Sequence, residues 1–205
     1  MSTDVFCVRL GDLPNLADKL AEQIKCSVPS IDHILYIESA GRLLGHLLQF
    51  RLGGNISGIR VERPTNMFKE MFVPLIPYIP ERWRSELRKA ELKGHQNWSK
   101  RNIKLVEDLP QKDKHLLIVD DALDTGYTMR AVLDLLYANG FKRNLISIAV
   151  INTTLQTSVV KPDFLCFNTR IICFPWSRDS KERGRYLQIY RNCPHALREI
   201  QSQTC

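Results

Sequence analysis

Residues 116–128 read LLIVDDALDTGYT, and the residue types in this stretch already set a chemistry. An apolar run ends in Asp120 and Asp121. Paired carboxylates at the end of a buried run are costly unless a cation or a hydroxyl-rich ligand meets them. Asp124, Thr125, Gly126, Tyr127 and Thr128 follow and lead into a helical pattern. Backbone N–H groups and threonine hydroxyls therefore converge at a helix N-terminus, where the dipole attracts an anion. No lysine follows Gly126, so this is not a Walker-type loop. Carboxylates beside an anion cradle suit a sugar phosphate. The acids take sugar hydroxyls, directly or through Mg²⁺, and the loop takes the phosphate. An acidic strand end followed by an aspartate N-cap is the plainer account, but it leaves the rest of the string unexplained.

Such residues need elements to hold them. Leu13, Leu16, Leu20 and Ile24 recur at helical spacing over 13–26. HILYIE (33–38) reads as a buried strand, GRLLGHLLQFRL (41–52) as a helix stopped by Gly53-Gly54, and ISGIRV (56–61) as another strand. NIKLVE (102–107) is a strand candidate. After the acids, Met129, Val132, Leu133 and Leu136 line one helix face closed by Asn139-Gly140, and NLISIAVI (144–151) is the next strand. Strands alternating with helices predict an α/β domain with a mainly parallel sheet, in which ligands bind beyond the carboxyl ends of the strands. Residues 64–101 break this rhythm with four prolines and a charged helical stretch, which predicts an inserted flap or small subdomain. For Trp83 and Trp98 within it, packing or a partner interface is expected.

The chain has 205 residues, 44% apolar and 25% charged, which suits one domain carrying an insertion. The net charge of +7 concentrates in 81–104 and 170–198. Tyr186 and Tyr190 interleave the arginines of the second region. Both patches suggest an anionic partner, a phosphate-bearing metabolite or a nucleic acid. The six cysteines form no C-x-x-C pair, so reduced structural thiols are expected rather than a metal or redox centre. No apolar run approaches the ~18–20 residues that span a bilayer, and MSTDVFCVRL does not resemble a secretory signal. A cytoplasmic protein without membrane contact is expected.

LLIVDDALDTGYT resembles the phosphoribosyl-pyrophosphate (PRPP) signature of type I phosphoribosyltransferases, with each key position filled. YIESAGRLLGHLLQFRLGG (36–54) resembles the strand–loop–helix that holds pyrophosphate, most like adenine-type enzymes. KPDFLCF (161–167) resembles the region after the last core strand in hypoxanthine–guanine enzymes, and IICFPW (171–176) the base-binding hood of bacterial purine enzymes. The resemblance implies a phosphoribosyltransferase-like domain over 1–177, with the insertion at 64–101, a hood at about 152–177 and a basic C-terminal tail over 178–205. It implies Mg²⁺-dependent transfer of ribose 5-phosphate from PRPP to a purine-like base, with pyrophosphate released.

Residue by residue, the resemblance assigns the ribose hydroxyls and the metal to Asp120 and Asp121. It assigns the 5-phosphate to Thr125, Gly126, Tyr127 and Thr128, and pyrophosphate to Ser39, Ala40, Gly41, Arg42 and Arg63. Asp124 fills the place of the catalytic acid that assists deprotonation of the base. Asn152 stands where related enzymes carry a lysine that reads the 6-oxo group; an amide can donate or accept, so 6-oxo and 6-amino bases both remain open. Phe174 and Trp176 are expected to stack on the base. A homodimer is expected by resemblance. A protein that keeps the PRPP site but serves as a regulator, or as a subunit binding nucleic acid or protein through 81–104 and 178–200, stays open beside the enzyme.

Overall fold

The computed structural model describes residues 5–38, 40–62, 102–105, 109–154, 158–178 and 180–192. In chain order the elements are β1 (Phe6–Cys7), α1 (Leu13–Ser27), β2 (His33–Glu38), α2 (Gly41–Leu52), β3 (Asn55–Glu62), β4 (Asn102–Leu105), β5 (Leu116–Leu123), α3 (Tyr127–Ala138), β6 (Ile146–Thr153), β7 (Phe164–Asn168), β8 (Ile172–Cys173) and α4 (Arg183–Asn192). Ser39, Arg63, the insertion 64–101, the end of the 102–107 strand candidate and residues 193–205 lie outside the described residues.

A six-stranded sheet runs β4-β3-β2-β5-β6-β7. Its pairs are parallel except β3 with β4. The sheet follows from the sequence. Strands such as ILYI and LLIV are apolar at every position, as strands covered on both faces must be. Ile34 and Tyr36 pack with Leu44, Leu47 and Leu48 of α2 and Leu20 of α1 on one face. Leu35, Ile37, Ile118 and Val150 pack with Met129, Val132, Leu133 and Leu136 of α3 on the other. The chain leaves β2 toward β3 on one side, and β5 adds on the other. That reversal opens a crevice at the carboxyl ends of β2 and β5, the usual ligand position in such sheets.

Three expectations change. KPDFLCF contributes β7, a member of the sheet, because Asp163 Oδ2 accepts the Ile148 N–H at 2.8 Å and ties this segment to β6. Within the expected hood, β8 pairs in parallel with β1 near the N-terminus, a partner the sequence did not suggest. The tail expected from 178 does not begin there: α4 buries Tyr186, 3% exposed, and Ile189 in the core beside α1 and α2. Tyr186 is thus a packing residue rather than an exposed aromatic for a nucleic acid.

Candidate functional site

Two loops meet at the crevice. The first enters α2. A Cβ on Gly41 would lie 2.7 Å from the Val119 carbonyl oxygen and 3.2 Å from the Asp120 Cα. Only glycine lets the start of α2 sit directly on β5 beside the acids. Gly41, with Ala40 and Arg42 on either side of it, thereby lies beside the acids. Glu38, the acid ending β2, is taken up by a neighbour: Arg60 of β3 donates to Glu38 Oε2 through Nη2 at 2.5 Å and through Nε at 3.1 Å. This partner was not foreseen, although cross-strand register places Arg60 directly opposite Glu38.

The second loop leaves β5. Asp120 is 8% exposed, and its Oδ1 accepts the Asp121 N–H at 2.9 Å. Asp121 accepts the Ala122 N–H on Oδ1 at 2.8 Å and the Trp176 indole N–H on Oδ2 at 2.7 Å. Burial pushes the Asp121 carboxyl above its ordinary range. The Trp176 hydrogen bond pulls it back, and the negative charge of Asp124 pushes it up again. Gly126 has φ +80°, a left-handed conformation that glycine adopts without strain. It lets α3 begin at a residue with no side chain to cap the first-turn N–H groups, which no helical carbonyl serves. A Cβ there would also lie 2.3 Å from Ser158 Oγ, and the Val159 N–H donates to the Thr125 carbonyl at 3.0 Å. Residues 158–160 therefore brace the cradle, a contact between distant segments that no local pattern announces.

Asp124 is exposed at the mouth, and its Oδ1 accepts the Thr154 hydroxyl. Thr154 is itself fixed by donating its N–H to the Leu123 carbonyl at 2.9 Å. It is a site residue that sequence reading missed. Asn152 lies near the end of β6, 1% exposed. Its Nδ2 donates to the Arg170 carbonyl at 2.7 Å, and its Oδ1 has no hydrogen-bond partner among the described residues.

Phe174 and Trp176, expected to stack on the base, lie against each other. Phe174 is 5% exposed and belongs to the core. Trp176 stacks on it with centroids 4.9 Å apart and planes 5° apart, meets the Tyr186 ring at 5.3 Å, and spends its N–H on Asp121. α4, which the sequence placed in a separate tail, reaches this ring through Tyr186.

Among the described residues no group of three or more His, Cys, Asp or Glu side chains can cage a metal. Mg²⁺ at phosphate sites needs less, one or two carboxylates completed by substrate oxygens and water. A cation at Asp120 and Asp121 would offset both the burial of Asp121 and the nearby charge of Asp124, so the donor set fits. No helix among the described residues is long and apolar enough to cross a membrane.

The phosphoribosyl transferase domain profile matches residues 10–182. No curated protein sequence matches the chain. Among solved structures, a purine phosphoribosyltransferase from Pyrococcus horikoshii is 21% identical, with TM-score 0.59, covering 85% of this chain and 95% of its own. The Helicobacter pylori xanthine-guanine-hypoxanthine phosphoribosyltransferase is 16% identical, with TM-score 0.61, covering 90% and 99%. A Neisseria gonorrhoeae protein crystallised with ppGpp is 16% identical, with TM-score 0.58, covering 94% and 98%. These three share the fold. The family match, spanning most of the chain and every element from α1 to β8, shows that this protein belongs to the phosphoribosyl transferase domain family and is a phosphoribosyltransferase.

Proposed function

We propose that this enzyme transfers ribose 5-phosphate from PRPP to a ring nitrogen of a purine-like base and releases pyrophosphate, with Mg²⁺ held between Asp120, Asp121 and the substrate. The observation that carries the reading is the approach of Gly41 to β5 beside the acids, which joins a pyrophosphate-type loop to a sugar-type acid pair. In this reading Asp120 and Asp121 accept from the ribose hydroxyls. The N-terminal turn of α3, with Thr125, Gly126, Tyr127 and Thr128, takes the 5-phosphate. Ala40, Gly41 and Arg42, with Ser39 and Arg63, take the pyrophosphate. Bound Mg²⁺ supplies charge neutralisation of the departing pyrophosphate.

The bond from the ribose anomeric carbon to pyrophosphate oxygen breaks as the carbon–nitrogen bond forms. The proton on the base nitrogen passes to Asp124, which Thr154 holds in place. The reacting carbon carries positive charge at the transition state, so positioning and leaving-group stabilisation supply most of the rate. A purine acceptor agrees with the names of the relatives from P. horikoshii and H. pylori. Asn152 refines it. Its Nδ2 faces a carbonyl, which only accepts, so the amide leaves Oδ1 as an acceptor. That arrangement favours a base edge presenting an N–H, such as an exocyclic amino group.

We also expect a homodimer in the cytoplasm, checked by light scattering and by fractionation. The test of the activity is direct. PRPP with Mg²⁺ raises the melting temperature, and a panel of adenine, hypoxanthine, guanine and xanthine is followed by pyrophosphate release. No thermal shift at millimolar PRPP refutes the site. A shift without release for any base leaves a PRPP-binding protein and refutes the transferase reading.

A further inference from the structure

We propose that Tyr190 of α4 is a positioning residue for the pyrophosphate side of the site, holding the Arg42 guanidinium in place at the start of α2. This rests on the pyrophosphate role proposed for Arg42. The Arg42 guanidinium carbon lies 4.9 Å from the centroid of the Tyr190 ring, within cation–π range. An aromatic ring orients a guanidinium without neutralising it, whereas a carboxylate in the same place would compete with an incoming anion.

Tyr190 is itself well held. Its ring lies 5.8 Å from that of Tyr186, one helical turn earlier, and Tyr186 is buried in the core and packs on Trp176. The helix is pinned at its start, where Glu182 Oε2 accepts the Leu10 N–H at 2.8 Å and the Glu182 carbonyl accepts the Tyr186 N–H at 2.9 Å. The same aromatic row ends at Trp176, which donates to Asp121. One face of α4 thus reaches both sides of the site, Arg42 through Tyr190 and Asp121 through Tyr186 and Trp176. Arg42 also leaves a mark on its own helix. The His46 imidazole is kept below its ordinary range first by burial and then by the positive charge of Arg42.

The experiment uses the full chain and two substitutions, Tyr190→Phe, which keeps the ring, and Tyr190→Leu, which keeps apolar packing without it. Calorimetric titration with Mg-pyrophosphate should show affinity on the order of 3- to 30-fold weaker for Tyr190→Leu and within about twofold of wild type for Tyr190→Phe. In turnover the same loss should appear as a raised KM for PRPP with kcat nearly unchanged, and KM for the base should not move. An NMR titration of His46 reads the contact without ligand: Tyr190→Leu should raise the His46 pKa as Arg42 swings away, and Tyr190→Phe should not. Wild-type affinity in Tyr190→Leu, or equal losses in both variants, would overturn the proposal. A wild-type chain that binds neither Mg-pyrophosphate nor PRPP would remove the role of Arg42 and the proposal with it. The His46 titration would still show whether Tyr190 holds Arg42, so the two failures are told apart.

Discussion

Replacing Trp176 by phenylalanine isolates one hydrogen bond at the centre of the site. The ring that stacks on Phe174 and meets Tyr186 is largely kept, but the N–H that serves Asp121 Oδ2 at 2.7 Å is gone. A hydrogen bond to a charged group contributes about 1.5–3 kcal/mol. In a chain of this length each kcal/mol moves Tm by roughly 2–4 °C, so the loss should be roughly 3–12 °C, plus a packing loss from the smaller ring. Asp121→Asn separates the two. The Asp121 carboxylate now accepts both the Ala122 N–H and the indole N–H. An amide has one oxygen and satisfies only one of them. Removing the indole N–H in the Asp121→Asn background therefore costs little beyond packing, and the double-mutant cycle should show a coupling of about 1.5–3 kcal/mol.

The pH dependence has a definite sign. Burial raises the Asp121 carboxyl above the unfolded value of 3.8. The folded chain then holds this proton more tightly than the unfolded one, so the group favours folding when protonated. That contribution is lost as pH rises through the folded-state pKa. Wild type should lose stability relative to Asp121→Asn over that rise, and the coupling should shrink as pH falls and the carboxyl protonates. Thermal and urea unfolding of the four proteins at pH 8 and at acidic pH measure both. Equal penalties for Trp176→Phe in the two backgrounds at every pH would refute the claim that the indole serves an ionised Asp121.

Gly41→Ala forces a Cβ against the Val119 carbonyl; it should cost about 1–3 kcal/mol in urea unfolding and abolish the PRPP-induced rise in Tm. Asp124→Ala should lower kcat by ~10²–10⁴-fold with PRPP binding kept. Thr154→Val should lower it less and shift the pH profile of kcat, since it frees the carboxylate rather than deleting it. His33, whose Nε2 lies 2.7 Å from Ser57 Oγ, is pushed by burial below the ordinary 6.5. The unfolded chain binds that proton more readily, so stability should fall as pH drops below 6.5, and His33→Gln should flatten that slope in thermal unfolding.

Much of the scaffold was legible because it is written in local pattern. HILYIE and GRLLGHLLQFRL became β2 and α2 with the predicted limits, and Met129, Val132, Leu133 and Leu136 all turn inward. Periodicity is a property of neighbouring residues, and so is the D-T-G turn into a helix. β7 was not seen, because FLCFN is short and its strand character comes from pairing with β6. The helix α4 was read as a charged tail. Its arginines dominate the composition, while the burial of Tyr186 and Ile189 depends on distant parts of the core, among them Trp176.

The sequence by itself determined that two acids follow a buried apolar run and that a D-T-G turn into a helix comes next, since a contiguous string fixes both residue type and order. Tertiary structure decided what those groups touch. It set Gly41 on the backbone of β5, tied Asp124 to Thr154, closed 158–160 over Gly126, and gave Trp176 the hydrogen bond to Asp121. Each of these joins residues far apart in the chain. Their contact depends on sheet order and helix packing, which no short window of sequence contains.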